Sequence, residues 1–314
     1  MKILVTGGAG FIGSHLVDSL LKEGHQVLVF DNLSSGKEEN LNPRAKFYKV
    51  DLLKDDLESI LQKERPTIIY HFAAQINLRR SLDNPLFDAE ENILGSLHLF
   101  ESALKNGARY FLFASSGGAM FLKGPFPSRE ADYPSPFSPY GNAKLAVENY
   151  LLNYYQSVCG VKTAILRFAN VYGPRQDPLG EAGVVAIFCH RLLNHQPLVI
   201  FGDGRQTRDF VYIDDIARAC LLCLKKKAQG IFHLGTGEET TINRIAKYLI
   251  EISGEKAIVQ HGPKVLGEAR RSCLNSQLAW RTFGWRAEIK IKEGLKRTWE
   301  WFKNKNSMMM PGKK

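Results

Sequence analysis

The chain has 314 residues, 44% hydrophobic and 24% charged, with a formal net charge of +10, a composition ordinary for a soluble protein with one large α/β unit or a large and a small one. No run approaches the length needed to span a bilayer, and the first strand begins at Lys2 with no room for a signal peptide, so a cytoplasmic protein with no membrane partner is expected. The positive charge suits an anionic partner, but no basic helix or aromatic-basic sheet signature accompanies it, so nucleic acid is not expected.

In chain order, Ile3, Leu4 and Val5 make a short apolar strand. It turns through Gly7, Gly10, Phe11, Ile12 and Gly13 into a helix whose Leu16, Val17, Leu20 and Leu21 recur at helical spacing until Gly24. Gly7 permits the tight turn, Gly10 a close approach of backbone to a pyrophosphate, and Gly13 close packing of helix on strand. A second strand, Gln26 to Phe30, ends in Asp31-Asn32. An acid there can accept hydrogen bonds from both ribose hydroxyls of NAD and repels the extra phosphate of NADP; the bland alternative is an ordinary loop acid.

Strand and helix then alternate. A strand over 46–50 ends at Asp51-Leu52, a helix is expected over 53–63, and a strand over 67–72 opens into Phe72-Ala73-Ala74. Asp51 and Leu52 could flank an adenine edge, and the alanines could let the chain pass beneath a cofactor. A long helix over 86–105 is stopped by Asn106-Gly107, and a strand follows over 110–114. Such alternation requires a doubly wound parallel sheet, a Rossmann α/β fold, with helices on both faces.

The chemistry gathers next. The strand over 110–114 delivers Ser115 and Ser116 at its carboxyl end, where ligands sit in open α/β sheets. A proline-rich loop leads to a helix in which Tyr140 and Lys144, four residues apart, share one face. A phenol is a poor base at its free pKa of about 10, but a neighbouring ammonium and a cationic nicotinamide both favour the phenolate. Ser116 could hydrogen-bond the same substrate hydroxyl.

Further on, Cys220 and Cys223 resemble a metal pair, but they share a helix with Ile213, Ile216 and Leu224 and no second ligand pair accompanies them, so buried thiols and no metal are expected. Arg208 presents a fork suited to a diphosphate, with a salt bridge to Asp209 or Asp214 as the alternative. Asn170 ends a strand and could be only a turn residue. The stretch over 303–314 is basic and aperiodic and reads as a solvated tail.

TGGAGFIG, Asp31, SSGGA and YGNAK in this order, with RFANVYGPRQ over 167–176 and GDGRQTRDFVYIDD over 202–215, resemble the extended short-chain dehydrogenase/reductase family and, within it, the nucleotide-sugar 4-epimerases. The resemblance implies NAD as cofactor and a UDP-sugar as substrate, UDP-glucose and UDP-galactose first, with the 2-acetamido sugars next. It implies Tyr140 as base, Lys144 as its activator and a ribose ligand, and Ser116 as the hydroxyl partner. It further places Ser115, Asn92 and Phe168 near the cofactor, Asn170 and Arg208 on the diphosphate, and Gly183, Val184, Val185 and Ile200 near the uridine. Related dehydratases and decarboxylases carry acids immediately after the catalytic hydroxyl residue; here Gly117 and Gly118 follow, which leaves hydride out and back as the simplest chemistry. A dehydratase, a decarboxylase, a uronate epimerase and a catalytically silent sensor remain the alternatives.

The chain also departs from that family. Phe121 stands where a phenol is common, and Val265, two residues before Gly267-Glu268, where a second phosphate-clamping arginine is common, so Lys264, Arg270 or Arg271 is the expected substitute. The position resembling the sugar-size gate is Ser272. Expected domains are 1–172 with 207–235 for the cofactor, 173–206 with 236–306 for the substrate, and a tail over 307–314. The helices over 86–105 and 140–157 keep apolar residues beyond one face, which suits either a paired-helix homodimer or burial within the monomer.

Overall fold

The apolar runs of the first half become strands of one parallel sheet, and the helices after β1, β3, β4 and β5 cover its faces. In the computed structural model, which describes residues 1–121, 123–179, 183–264 and 269–309, the order begins β1 (Lys2–Thr6), α1 (Phe11–Lys22), β2 (Gln26–Asp31), β3 (Lys46–Lys49), α2 (Leu57–Glu64) and β4 (Ile68–His71). There follow α3 (Leu78–Asp83), α4 (Pro85–Ala89), a π-helical stretch (Glu90–Leu94), α5 (Gly95–Lys105), β5 (Tyr110–Ser116), α6 (Gly117–Met120) and α7 (Pro139–Asn149), which continues as a second π-helical stretch (Tyr150–Gln156). Then come β6 (Lys162–Phe168), β7 (Asn170–Tyr172), α8 (Val184–Leu193), β8 (Leu198–Phe201), β9 (Thr207–Tyr212), α9 (Ile213–Lys226) and β10 (Gly230–Leu234). The chain ends through β11 (Glu239–Thr241), α10 (Ile242–Ser253), β12 (Val259–Gly262), α11 (Gln277–Phe283) and α12 (Ile291–Met309).

Seven strands form one sheet in the order β10-β6-β5-β4-β1-β2-β3, every neighbour parallel. The order reverses between β1 and β4, and the crevice outside their carboxyl ends is where this topology receives ligands. Central strands of such a sheet are covered on both faces, which is why Ile3, Leu4 and Val5 are all buried. Side chains alternate: Ile3 and Val5 face a core shared with Leu16 and Leu20 of α1 and Ile216, Cys220 and Cys223 of α9. Leu4 faces the opposite core with Leu61, Phe100, Leu151 and Tyr155. Cys220 and Cys223 are buried thiols, as expected.

A third core collects Phe188 and Leu192 of α8, Ile200, Phe210, Ile245 and Leu249 of α10, and Leu295, Trp299 and Phe302 of α12. Here β9 pairs with β7 and β11, and β8 with β12, so the segment over 207–235 opens in the small three-stranded sheet, then lays α9 on the large one and adds β10 to it.

Two boundaries differ from the sequence reading. The helix expected from residue 53 starts at Leu57, because Asp51 accepts the Leu53 N–H and Asp56 supplies the cap, accepting from Ser59 N. The stretch from Lys303 is not an aperiodic tail: α12 runs on to Met309, carried by Leu295, Trp299 and Phe302 packed in the third core and by lysines that favour helix. Lys305 there pairs with Glu39 at 2.5 Å.

Candidate active site

Two adjoining cavities open along the carboxyl edge of the large sheet. The smaller, about 200 Å³, is lined by Gly7, Gly10, Phe11, Ile12, Gly13, Asp31, Asn32, Leu52, Phe72, Ala73 and Ala74. Gly7 has φ +69°, and a Cβ on it would lie 2.7 Å from the Ala73 nitrogen; a Cβ on Gly13 would lie 2.1 Å from the Gly7 carbonyl oxygen. Loop, helix and the Phe72-Ala73 backbone are thus in contact with no room for a side chain. The N-cap of α1 is Gly10, which brings no capping side chain to the first turn. The result is a cradle whose free N–H groups and dipole face an anion of pyrophosphate shape.

Asp31 accepts from Ala9 N and Leu33 N, each at 2.9 Å. Burial raises its pKa, while those two N–H donors pull it back down. A glycine at 36 keeps the loop against it, since a Cβ there would lie 2.8 Å from Asp31 Oδ1. The carboxylate keeps lone pairs for a ribose diol, so cradle and acid together fit a dinucleotide of the NAD kind.

The larger cavity, about 550 Å³, is lined by Ser116, Tyr140, Asn170, Gly183, Val184, Val185, Ile200 and Arg208 among others, and it shares Ile76 with the smaller one. Ser116 ends β5 and caps α6, accepting from Ala119 N at 3.2 Å. Tyr140 opens α7, which Ser138 caps and Pro139 begins. A Cβ on Gly141 would lie 2.8 Å from the Ala119 carbonyl oxygen, so α7 lies directly on α6 and brings the Tyr140 side chain beside Ser116 on the cavity wall. Burial pushes the Tyr140 phenol up to about 12, with Asp88 adding to the rise and Ser116 opposing it.

Lys144 is buried behind Tyr140. Its Nζ donates to the Ala114 carbonyl at 3.0 Å and lies 4.6 Å from the Phe113 ring centre and 5.9 Å from that of Tyr140. Burial holds this amine down to about 8, against the pull of Asp88 and Glu148. One helical turn on, Glu148 makes a fully buried pair with Arg167 of β6, Nη2 to Oε2 at 2.6 Å and Nε to Oε1 at 2.9 Å, and accepts from Ser115 Oγ at 2.5 Å. This pair fixes α7 to β5 and β6 and so fixes the Tyr140–Ser116 geometry.

Several expected ligands stand one layer back. Ser115 faces Glu148, and Phe168 meets the Phe72 ring edge at 5.9 Å between centres. Asn92 exchanges hydrogen bonds with the Gln75 backbone at 2.9 Å both ways and braces the loop after Ala74. Asp51 organises the turn before α2 instead of lining the cleft. Arg271 is held outside the larger cavity by Glu239, at 3.0 and 2.6 Å, and Arg270 by Asp203, so neither guanidinium stands in a clamp position. Val265 and Gly267-Glu268 lie outside the described residues. Phe121 points into the core against His233 and Arg167, away from the cavity. Ser272 is buried, with its Oγ 3.8 Å from where a Cβ on Gly118 would sit.

Arg208 is anchored by the Thr207 and Ala269 carbonyls at 2.9 and 2.8 Å. The Asn170 Oδ1 is buried with no hydrogen-bond partner among the described residues, a polar atom on the cavity wall suited to a polar occupant. Asp88, Glu148 and Arg167 escaped the sequence reading, although a lone arginine in the apolar run TAILRF and a glutamate one turn after Lys144 were signals for the last two. Among the described residues no cluster of histidine, cysteine or carboxylate is arranged to hold a metal.

Comparison with known proteins agrees with this geometry. The model of the NAD dependent epimerase/dehydratase family matches residues 3–235. The chain is 42% identical over 313 residues to a UDP-glucose 4-epimerase of Mycolicibacterium smegmatis, covering 98% of this chain and 100% of the relative. It superposes on the crystal structure of a UDP-glucose 4-epimerase with UDP-glucose from Thermotoga maritima with a TM-score of 0.92 at 45% identity, covering 98% and 100% of the two chains. It superposes on a Thermus thermophilus UDP-glucose 4-epimerase complexed with NAD with a TM-score of 0.90 at 42% identity, covering 96% and 99%.

Proposed function

Because this chain belongs to the NAD dependent epimerase/dehydratase family, we propose that it is a UDP-sugar 4-epimerase that interconverts UDP-glucose and UDP-galactose. The observation that carries the reading is the junction of the two cavities: a half-buried tyrosine, beside a serine and backed by a buried lysine, stands where a dinucleotide cradle meets a cavity lined by an arginine and by an amide oxygen that has no partner among the described residues.

The glycine loop, Asp31 and the Phe72-Ala73-Ala74 backbone would hold NAD, with Lys144 toward its nicotinamide ribose. When bound, NAD supplies the chemistry the side chains lack, taking a hydride from sugar C4 and returning it to the other face, so that no net redox change results. Tyr140 Oη takes the proton of the sugar 4-hydroxyl and later gives it back. The Lys144 ammonium and a hydrogen bond from Ser116 stabilise the phenolate, offsetting the burial that otherwise raises its pKa. Arg208 and Asn170 clamp the diphosphate, while Gly183, Val184, Val185 and Ile200 form the uridine wall, so the sugar can turn while its nucleotide stays held. The two residues after Ser116 are glycines, which place no general acid beside C5 for an elimination.

The exposed apolar residues Leu86, Leu94, Tyr150 and Tyr154 on the 85–105 and 139–156 helices suit a paired-helix homodimer. No helix of the described residues is long and apolar enough to cross a membrane, and a cytoplasmic location completes the proposal. Proton NMR of UDP-galactose, UDP-GalNAc and UDP-glucuronate incubated with the protein tests it. The glucose epimer should appear from the first; no C4 inversion of any of the three contradicts the reading.

A further inference from the structure

The buried charge that the mechanism above does not use is Asp88. It sits on α4, which packs on α7, and is fully buried. Its Oδ1 accepts from Gln75 Nε2 at 2.8 Å and Asn92 Nδ2 at 3.0 Å, while its Oδ2 is buried with no partner among the described residues. Leaving a carboxylate oxygen unpaired away from water is costly unless a nearby charge compensates.

The surrounding charges narrow down what can compensate. On α3, Arg80 lies over the Phe87 ring at 4.0 Å and Arg79 faces the Phe201 ring at 6.0 Å. On its own helix Glu90 is exposed, and Glu91 interacts with Asp51 and Lys54. His71 of β4 bonds Thr6 and Ser96 and is held down to about 3, hence neutral. Glu148 is committed to Arg167. What remains is α7, on which α4 packs: it carries the buried Lys144 and, one turn earlier, Tyr140, and the Lys144 charge opposes the burial that raises the Asp88 pKa.

We propose that Asp88 is a positioning residue that, as a buried carboxylate opposite α7, sets the pH at which the Tyr140–Lys144 pair gives up its first proton. The inference rests on the epimerase reading for its use in turnover, but the electrostatic relation stands on this chain alone. A fixed negative charge opposes proton loss from either member, so the pair, titrating as a unit, stays protonated to higher pH than burial alone allows. Asp88 thereby retains the proton on Lys144 at neutral pH and restrains Tyr140 from ionising before a cationic ring arrives beside it.

Asp88→Asn keeps the shape and an acceptor for Gln75 and Asn92 but removes the charge. Two titrations read its effect: the pH profile of kcat, and the near-ultraviolet tyrosinate absorbance taken as the difference between each protein and its Tyr140→Phe partner, which needs no turnover. In D88N both should move to lower pH by about one unit, and Asp88→Glu should move them back. A lower rate or melting temperature with both titrations unmoved means that Asp88 only braces the loop, and overturns the proposal, as does a shift to higher pH. If D88N does not fold, the side-chain carboxyl carbon shift of Asp88 in wild-type protein decides the point: a carboxylate at neutral pH supports it, a protonated acid overturns it. A tyrosinate shift in a protein that epimerises nothing would retain this inference and sink the functional one.

Discussion

At the scale of single residues, the account turns on two side chains of α7. Tyr140→Phe removes the proton acceptor and leaves the ring that packs the cavity wall, so turnover should fall by at least about a thousandfold while NAD stays bound, read by progress curves and by cofactor content after denaturation. Lys144 shows the cost of placing an ammonium there. Its folded pKa of about 8 lies below the ordinary 10.5, so the folded state binds fewer protons than the unfolded one between those values, and the group destabilises the fold below pH 8, a penalty that fades as pH rises toward 10.5. Lys144→Met should therefore be more stable than wild type at pH 7, by on the order of 3 kcal/mol before its lost hydrogen bond to Ala114 is counted. The difference should shrink by pH 10 in denaturant melts, and activity should be lost throughout. Function is retained at the expense of stability, a common pattern in active sites. Arg208→Gln should raise KM for the UDP-sugar more than tenfold and leave NAD binding unchanged, since Arg208 lines the larger cavity and not the smaller one.

At the scale of elements, what was legible in the sequence is what is local. The strand, glycine loop and helix of residues 2–22 and the acid at the end of β2 could be read because their contacts follow from spacing along one βαβ unit. Tyr140 and Lys144 could be read because four residues is one helical turn. Asp88, Gln75 and Asn92, and the Ser115–Glu148–Arg167 network, could not be assembled, because their meeting depends on α4 lying on α7 and on β5 lying beside β6. Arg271 went astray for the same reason: Glu239 arrives on β11, which only the small sheet brings alongside, and takes the guanidinium out of the cavity. The long basic end was misjudged because its apolar stripe lies upstream, at Leu295, Trp299 and Phe302. Gly13→Val tests the glycine loop as an element: with a Cβ 2.1 Å from the Gly7 carbonyl oxygen, α1 must move off β1. Purified protein should then carry no dinucleotide, and melting should fall by several degrees.

At the scale of the whole molecule, the carboxyl edge of the large sheet holds the glycine cradle, residues of α8, β8 and β9 supply much of the wall of the larger cavity, and Ser116 and Tyr140 line that cavity beside the cradle. Tyr140, the proposed base, and one of the two exposed faces that suit a homodimer lie on one continuous helix, 139–156, so subunit pairing would also stiffen the helix that carries Tyr140. Light scattering should report a dimer, and Leu94→Glu, at a residue 54% exposed in the monomer, should yield monomers of reduced activity. The central claim is that one site takes hydrogen from sugar C4 and returns that same hydrogen to the other face. UDP-glucose deuterated at C4, incubated with the protein without added NAD, tests this most directly. The expected result is UDP-galactose that keeps its deuterium at C4, and deuterium lost to solvent or left on a released cofactor would contradict it.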